Sequence, residues 1–250
     1  MRPSPFRPVA LITGAARRIG AGIASALHQA DYDVIIHYRK SADEAQALAK
    51  RLNQTRAGSA VALGAELGSA AGAQSLIDAG LAWRGRLDAL VNNASSFYRT
   101  PLGKVDEACW AELLDGNLKA AFFCSQFAAP ALTAARGAIV NICDARTDRP
   151  LPGFSVYTAA KAAMVSLTRS LALELAPAVR VNAVSPGSLT WPEDNTFDAQ
   201  DRAHMEAAIP LARIGDGADI GQTVRFLLRE APYITGQILA VDGGAGIVSA

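Results

Sequence analysis

Short apolar runs alternate with longer stretches of helical periodicity along almost the whole chain. The apolar runs predict seven strands, at residues 8–12, 33–38, 59–64, 88–91, 138–142, 180–184 and 237–241. Apolar positions at helical spacing predict the helices between them, at residues 21–30, 42–55, 70–83, 105–134, 154–176 and 219–229. Both assignments rest on the period of the hydrophobic pattern and on the turn residues that bound each run.

Alternation of strand and helix with short links is typical of a parallel sheet covered by helices on both faces. We therefore expect a Rossmann-like, doubly wound, seven-stranded α/β fold that forms one domain over residues 1–250. Residues 1–7 are proline-broken and are expected to fray. Residues 190–210 have weak periodicity and are long for a connection, which indicates either a mobile lid over a ligand or a surface insertion.

Composition narrows the class of protein. Of the 250 residues, 50% are hydrophobic and 19% are charged, which suits one compact α/β domain. The net charge of +1 gives no indication of a nucleic-acid or membrane surface. The three cysteines are unclustered, which fits a reducing compartment, and we expect a soluble cytoplasmic protein. The three histidines, His28, His37 and His204, lack metal spacing and are interpreted as structural or surface residues, so no metal is expected.

A glycine-bearing turn follows the first predicted strand, with the sequence TGAARRIG at residues 13–20. Gly14 and Gly20 frame a tight strand-to-helix turn, where backbone amides and a helix N-terminus favour a pyrophosphate. Ala16 replaces the middle glycine of the strict dinucleotide motif. An ordinary βα turn is the alternative, but the position at the chain start favours dinucleotide binding.

The end of the second strand indicates which dinucleotide is bound. NAD-binding folds usually carry an acidic residue there for the ribose 2′-hydroxyl. Here the strand ends with Tyr38, Arg39 and Lys40, with no carboxylate at that end. Arg39, Lys40 and Arg18 can surround a 2′-phosphate, so we expect NADPH as the cofactor; a solvated basic loop is the alternative.

Further polar and aromatic residues follow the next predicted strands. Glu66 and Leu67 can flank an adenine ring, and the adjacent asparagines before Ala94 can fix the backbone near a ribose. Phe97 lies in the following loop, at the sheet edge where such folds bind ligands, and could stack on a planar substrate. Asn117 lies inside a predicted helix, where asparagine is unfavourable, which indicates a specific role such as holding a water or a carbonyl.

Tyr157 and Lys161 are four residues apart on a predicted helix and therefore lie on the same face. An ammonium close to a phenol lowers the tyrosine pKa, which makes a proton donor usable near neutral pH. Asp144 ends the fifth strand, where its carboxyl can face Tyr157 and pass protons to it. By itself the tyrosine–lysine pair also fits an ordinary surface pair, and the rest of the chain argues against that reading.

Together these motifs resemble the short-chain dehydrogenase/reductase family from about residue 9 to residue 244, and the closing YITGQILAVDGG strengthens the resemblance. The resemblance implies hydride transfer between a nicotinamide and a carbonyl or alcohol. It assigns Asp144, Tyr157, Lys161 and Asn117 to catalysis. The cofactor-binding residues that it implies are Gly14, Arg18, Ile19, Gly20, Tyr38, Arg39, Lys40, Ser41, Glu66, Leu67, Asn93, Ala94, Ser95, Tyr157, Lys161, Pro186, Gly187 and Ser188.

Two departures from the family pattern indicate the substrate. Asp144 stands where the family normally has serine, and Ser95 stands where it usually has glycine. Both departures are similar to pteridine reductases within the family, including bacterial dihydromonapterin reductases. The resemblance implies NADPH-dependent reduction of dihydropteridines of the dihydrobiopterin, dihydromonapterin or dihydrofolate type, with Arg18, Ser95, Phe97, Asp144 and Tyr157 at the substrate. It also implies a homotetramer.

Two alternatives stay open. One is an NADPH-dependent carbonyl or 3-oxoacyl thioester reductase of the same fold, which Asp144 disfavours because a carboxylate would repel a developing oxyanion. The other is an NADPH-sensing binding protein, which would have no need of Tyr157 and Lys161. The sequence does not indicate which pterin or folate is preferred.

Overall fold

The computed structural model describes residues 7–189 and 198–248. Its strands are β1 (Val9–Ile12), β2 (Asp33–Tyr38), β3 (Ala60–Gly64), β4 (Ala89–Asn92), β5 (Ala138–Ile142), β6 (Arg180–Pro186) and β7 (Ile238–Val241). The helices are α1 (Arg18–Gln29), α2 (Ala42–Thr55), α3 (Ala70–Arg84), α4 (Glu107–Leu114), α5 (Ala120–Ala135), α6 (Ser155–Glu174), α7 (Ala199–Ala207) and α8 (Gly217–Arg229).

The strands form one parallel sheet in the order β3-β2-β1-β4-β5-β6-β7. The chain runs outward from β1 to β3, returns across the sheet to β4, and then runs outward the other way to β7. The expected seven-stranded, doubly wound α/β fold is therefore confirmed. Strand order reverses between β1 and β4, and in open sheets of this kind ligands bind at the carboxyl ends of the strands beside such a point.

Two apolar layers hold the helices against the sheet. One contains Ile12, Ile23 and Val224 and joins α1, α2 and α8 to one face; the other contains Leu11, Ile77 and Leu132 and joins α3 and α5 to the opposite face. Consecutive side chains of a strand point to opposite faces, so the wholly buried β1 supplies both layers. This packing fixes where the strand ends lie relative to one another.

The predicted helix at residues 105–134 is divided in the structure. A π-helical turn, Asp115–Lys119, separates α4 from α5. The start of the last predicted helix is also displaced, because Asp216 accepts hydrogen bonds from the backbone N–H groups of Ala218 and Asp219 and so caps α8 two residues early.

The predicted lid or insertion at residues 190–210 is only partly described. Residues 190–197 lie outside the described residues, whereas Asp198 caps α7 by accepting from the N–H of Asp201 at 2.8 Å. The second half of this segment is thus a helix, which the weak periodicity did not indicate. Among the described residues, no helix combines the length and apolar character needed to cross a bilayer.

Candidate active site

A cleft of about 1110 Å³ follows the carboxyl ends of the strands from β3 to β6. Every predicted cofactor residue lines it: Gly14, Arg18, Ile19, Gly20, Tyr38, Arg39, Lys40, Ser41, Glu66, Leu67, Asn93, Ala94, Ser95, Tyr157, Lys161, Pro186, Gly187 and Ser188. The predicted substrate residues Arg18, Ser95, Phe97, Asp144 and Tyr157 line it as well. Residues far apart in the sequence therefore meet in one cleft.

The glycine turn has no room for larger residues. Gly14 has a φ of +61°, and a Cβ there would lie 2.9 Å from Cα of Ala94. A Cβ on Gly20 would lie 2.4 Å from the carbonyl oxygen of Gly14 and 2.7 Å from Nδ2 of Asn93. That Nδ2 donates to the carbonyl oxygens of Thr13 and Gly14, at 2.9 and 3.0 Å. The turn is thus packed against β4, and only glycine fits at these two positions.

The N-terminus of α1 is open to an anion. The side chain of its N-cap residue, Arg17, makes no capping hydrogen bond, and the first turn of the helix contains no acidic residue. A helix N-terminus carries a partial positive charge, so an anion bound there is stabilised. Together with the close-packed glycines, this arrangement fits the pyrophosphate of a dinucleotide.

Basic side chains lie where β2 ends at the cleft. Arg39 and Lys40 are exposed, and among the described residues no carboxylate lies within ion-pair distance of either. By contrast, Nη1 of Arg17, on the glycine turn, lies 3.6 Å from Oε1 of Glu44. Arg39 and Lys40 are therefore positioned to pair with an anionic group on a ligand.

Tyr157 and Asp144 are directly hydrogen-bonded. The phenol donates to Oδ2 of Asp144 at 2.7 Å, and the backbone N–H of Arg146 donates to Oδ1 at 2.7 Å. Asp144 follows β5 and Tyr157 lies in the first turn of α6, so the parallel packing of these two elements brings them together. A proton can move between the two oxygens along this hydrogen bond.

The expectation that Lys161 lowers the pKa of Tyr157 is wrong. Burial, followed by the charge of Asp144 and the hydrogen bond to it, raises the pKa of Tyr157 well above its ordinary value. Lys161 is buried, its Nζ donates to the carbonyl oxygen of Ile142 at 2.8 Å, and burial lowers its own pKa. The carboxylate contacts the phenol directly and the ammonium does not, so the phenol is held in its protonated form.

Asn117 does not line the cleft but holds one of its walls. It lies in the π-helical turn, is 2% exposed, and its Nδ2 donates to the carbonyl oxygens of Ser96 and Leu113, at 2.8 and 2.9 Å. Ser95 Oγ donates to Oδ1 of Asn117 at 2.6 Å. The side chain donates to the carbonyl oxygen of Leu113 in the preceding helical turn, and this bond accompanies the local widening of the helix. Its bonds to Ser95 and Ser96 fix the loop at residues 95–96.

Phe97 presents a partly exposed ring beside Tyr157. Phe154 stacks on the ring of Phe97 with a centroid distance of 4.7 Å and an interplanar angle of 7°, and Tyr157 contacts it edge-on at 4.8 Å. Phe97 retains 36% exposure. Phe154 covers one face of the Phe97 ring. The part of the ring that stays exposed can contact a planar ligand in the cleft.

Known proteins resemble the chain over its whole length. A protein-family model described as enoyl-(acyl carrier protein) reductase matches residues 14–246. Pteridine reductase 1 of Leishmania tarentolae is 40% identical over 291 residues, covering 100% of both chains. A 3-oxoacyl-(acyl-carrier-protein) reductase of Staphylococcus aureus is 37% identical over 238 residues, covering 94% of this chain and 96% of the relative.

The chain belongs to the short-chain dehydrogenase/reductase family. The protein is therefore an oxidoreductase, and relatives of this family use NAD(P)H. This membership agrees with the turn geometry, since the glycine turn and the open end of α1 fit a dinucleotide.

The cleft of this oxidoreductase also contains residues that the sequence did not indicate. His37 was interpreted as structural or surface, yet it lines the cleft under the glycine turn. Arg146 and Phe154 line it near Asp144 and Tyr157. The sequence gives no periodic signal for any of them. For His37, the signal that could have been used is its place near the end of β2, directly before the predicted cofactor residues.

Proposed function

We propose that the protein reduces dihydropteridines to their tetrahydro forms with NADPH. The observation that carries this proposal is the hydrogen bond of 2.7 Å between the phenol of Tyr157 and the carboxylate of Asp144. Both groups face the same cleft as the cofactor residues. The full-length similarity to a relative named pteridine reductase 1 supports the same reading.

Reduction of a dihydropteridine imine requires a proton at a neutral ring nitrogen. The nicotinamide supplies the hydride when it is bound. Tyr157 and Asp144 lie on one proton path, along which Asp144 would deliver a proton through the phenol to the ring nitrogen. The raised pKa of Tyr157 keeps the phenol protonated at neutral pH, so it relays this proton and is not the primary acid. Lys161 would contact the nicotinamide ribose from its buried position, and Phe97 would stack on one face of the flat substrate.

The rival function is reduction of a 3-oxoacyl thioester, which the relative from Staphylococcus aureus carries in its name. The carbonyl oxygen of such a substrate becomes negative in the transition state, so it needs hydrogen-bond donors. Asp144 presents carboxylate oxygens that accept hydrogen bonds from Tyr157 and the Arg146 amide. A carboxylate at this position repels the developing oxyanion, which favours the pteridine.

Measuring NADPH oxidation with dihydrobiopterin, dihydrofolate and acetoacetyl-coenzyme A, side by side, tests this choice. We expect turnover of at least one dihydropterin or dihydrofolate and little turnover of the thioester. Turnover confined to acetoacetyl-coenzyme A would contradict the proposal and favour the rival. Binding of NADPH without turnover of any ketone or pterin would favour the sensing protein.

For the cofactor, Arg39→Ala should raise the dissociation constant of NADPH about ten- to a hundredfold, because a charge-assisted bond to the 2′-phosphate is lost. NADH lacks that phosphate, so its binding should barely change. Titration of intrinsic fluorescence with both cofactors measures the difference. The matched control is Arg51→Ala, which removes an exposed arginine of α2 outside the cleft. Equal weakening of both cofactors would contradict the assignment to the 2′-phosphate.

We also propose that the protein forms a homotetramer and acts in the cytoplasm. Exposed apolar side chains include Trp110, Phe122 and Leu173 on α4, α5 and α6, and Phe226, Tyr233 and Leu239 on and around α8 and β7. Large apolar residues on the surface favour contact with another chain. A closed assembly of identical chains would bury such side chains, and four copies are what the family resemblance implies.

A further inference from the structure

His37 connects three strand ends beneath the dinucleotide turn. Its ring, on β2, is 2% exposed. Nδ1 lies 3.0 Å from the backbone nitrogen of Gly14, and Nε2 lies 3.1 Å from the carbonyl oxygen of Ala65. The carbonyl oxygen of His37 also accepts from the N–H of Ala15 at 2.8 Å. One residue therefore ties the turn after β1 to the residue that follows β3.

These two ring contacts determine the form of the imidazole. The carbonyl of Ala65 can only accept, so Nε2 must carry the proton; the amide of Gly14 can only donate, so Nδ1 must be bare. The imidazolium carries protons on both nitrogens and cannot accept from Gly14. The arrangement therefore exists only with a neutral ring.

We propose that His37 is a positioning residue of the cofactor site, which in its neutral form holds Gly14 in the backbone conformation that dinucleotide binding requires. Gly14 is fixed from both sides, because His37 accepts from its N–H while Asn93 donates to its carbonyl oxygen at 3.0 Å. It lies against Ala94, with no spare space. Protonation of His37 would place two N–H groups against each other and displace the turn. The proposal concerns cofactor binding and applies whichever substrate is reduced.

The surroundings of the ring favour the neutral form. Burial lowers the pKa of His37 below its ordinary value, while a backbone bond to Ala65 and the charge of Glu66, after β3, act in the opposite direction. The other charged groups on this part of the cleft are Arg17 and Arg18 on the glycine turn, with Arg39 and Lys40 after β2. On the β4 side, Asn93 and Ala94 are uncharged.

A lowered pKa sets the direction of the effect. The neutral ring stabilises the folded cofactor site, and this stabilisation is fully present above the ordinary histidine pKa of about 6.5. It is lost as the pH falls through the lowered pKa of His37 in the folded protein. Cofactor affinity should therefore decrease on acidification. The 2′-phosphate of NADPH titrates in the same region, so NADPH alone cannot distinguish the two causes. NADH has no such phosphate and isolates the contribution of the protein.

The experiment measures the dissociation constants of NADPH and NADH from about pH 8 to about pH 5, in the absence of substrate. For the wild type we expect both constants to rise about five- to tenfold at the acidic end, as one buried hydrogen bond is lost. His37→Asn retains an oxygen that can accept from Gly14 and does not titrate, so its NADH constant should stay flat over this range. An unchanged NADH constant in the wild type, or the wild-type profile in His37→Asn, overturns the proposal.

The matched control is His28→Asn. His28 is also buried with a lowered pKa, but its Nε2 contacts Ser59 Oγ at 2.7 Å and the residue lies near the C-terminal end of α1, away from the cleft. This variant should lose stability yet retain the acidic loss of NADH affinity. If the NADH dissociation constant of His28→Asn is also independent of pH, the buried histidines act only through general stability and the proposal fails.

A second measurement needs no variant at the site. The imidazole nitrogen shifts of the wild type, which has three histidines, report the tautomer of each ring by NMR. We expect His37 to be the neutral Nε2–H form and to become protonated over the pH range in which NADH affinity falls. An Nδ1–H tautomer, or protonation with no change in NADH affinity, would refute the proposal even if His37→Asn failed to fold.

Discussion

Asp144→Ser should lower the rate of dihydropteridine reduction by about 10²–10⁴-fold, which is the usual contribution of general acid–base catalysis. The carboxyl oxygen that meets the phenol of Tyr157 at 2.7 Å is removed, and the serine hydroxyl that replaces it is a far weaker acid. The backbone should tolerate the change, because serine can still accept from the N–H of Arg146 and cap the short turn that follows. Steady-state rates at saturating NADPH measure the effect.

Three comparisons make this test specific. Asp144→Asn retains the shape and one acceptor oxygen of Asp144 but not the acid, so it should lose a similar factor. NADPH affinity should be unchanged in both variants, because Asp144 is not assigned to the cofactor. Asp144→Ser should also reduce acetoacetyl-coenzyme A faster than the wild type, since a hydroxyl suits an oxyanion better than a carboxylate. Dihydropterin reduction at the wild-type rate would remove the main support for the pteridine assignment.

Tyr157→Phe should lower the same rate by about 10²–10⁴-fold, because the phenol is the other member of the proton path. The ring contact with Phe97 should persist, since phenylalanine keeps the edge-on geometry at a centroid distance near the present 4.8 Å. A small loss would instead indicate that Asp144 delivers the proton directly and that Tyr157 only orients it. Single-turnover rates with prebound NADPH distinguish a slower chemical step from weaker substrate binding.

The raised pKa of Tyr157 gives this variant a second, independent signature. The phenol stays neutral in the folded protein after it has ionised in the unfolded chain, above about pH 10. Its contribution to stability is therefore fully present below that pH and is lost as the pH rises through the folded value. Urea unfolding should show a steeper alkaline loss for the wild type than for Tyr157→Phe. Tyr32, also buried with a raised pKa, is common to both proteins and cancels.

Much of the fold could be predicted because its signals are local. β2, α2 and β5 have the predicted bounds, since each is a run of one period. The long helix before β5 was predicted as one piece because its residues are helical throughout. The π-helical turn that divides it accompanies a bond between the side chain of Asn117 and the carbonyl of Leu113, which residue periodicity does not encode.

The chemistry of the site could likewise be predicted where its signals are local, and not where it depends on tertiary packing. Spacing alone placed Tyr157 and Lys161 on one helix face, and the order of residues after β2 placed two cations where an acid is usual. The direction of the Tyr157 pKa shift was predicted wrongly, because it depends on burial and on which charge is nearer. The proximity of Asp144 outweighs that of Lys161 only once β5 and α6 are packed together.

By itself, the sequence determined the parallel α/β fold, the glycine turn, the missing acid after β2 and the identity of the residues at each strand end. Those features depend on the residues themselves and on short spacings along the chain. Only the tertiary structure decided that His37 holds Gly14, that Phe154 covers one face of Phe97, and that the phenol of Tyr157 stays protonated. These depend on distances across strands and on exclusion of water, which arise when residues distant in sequence are brought into contact.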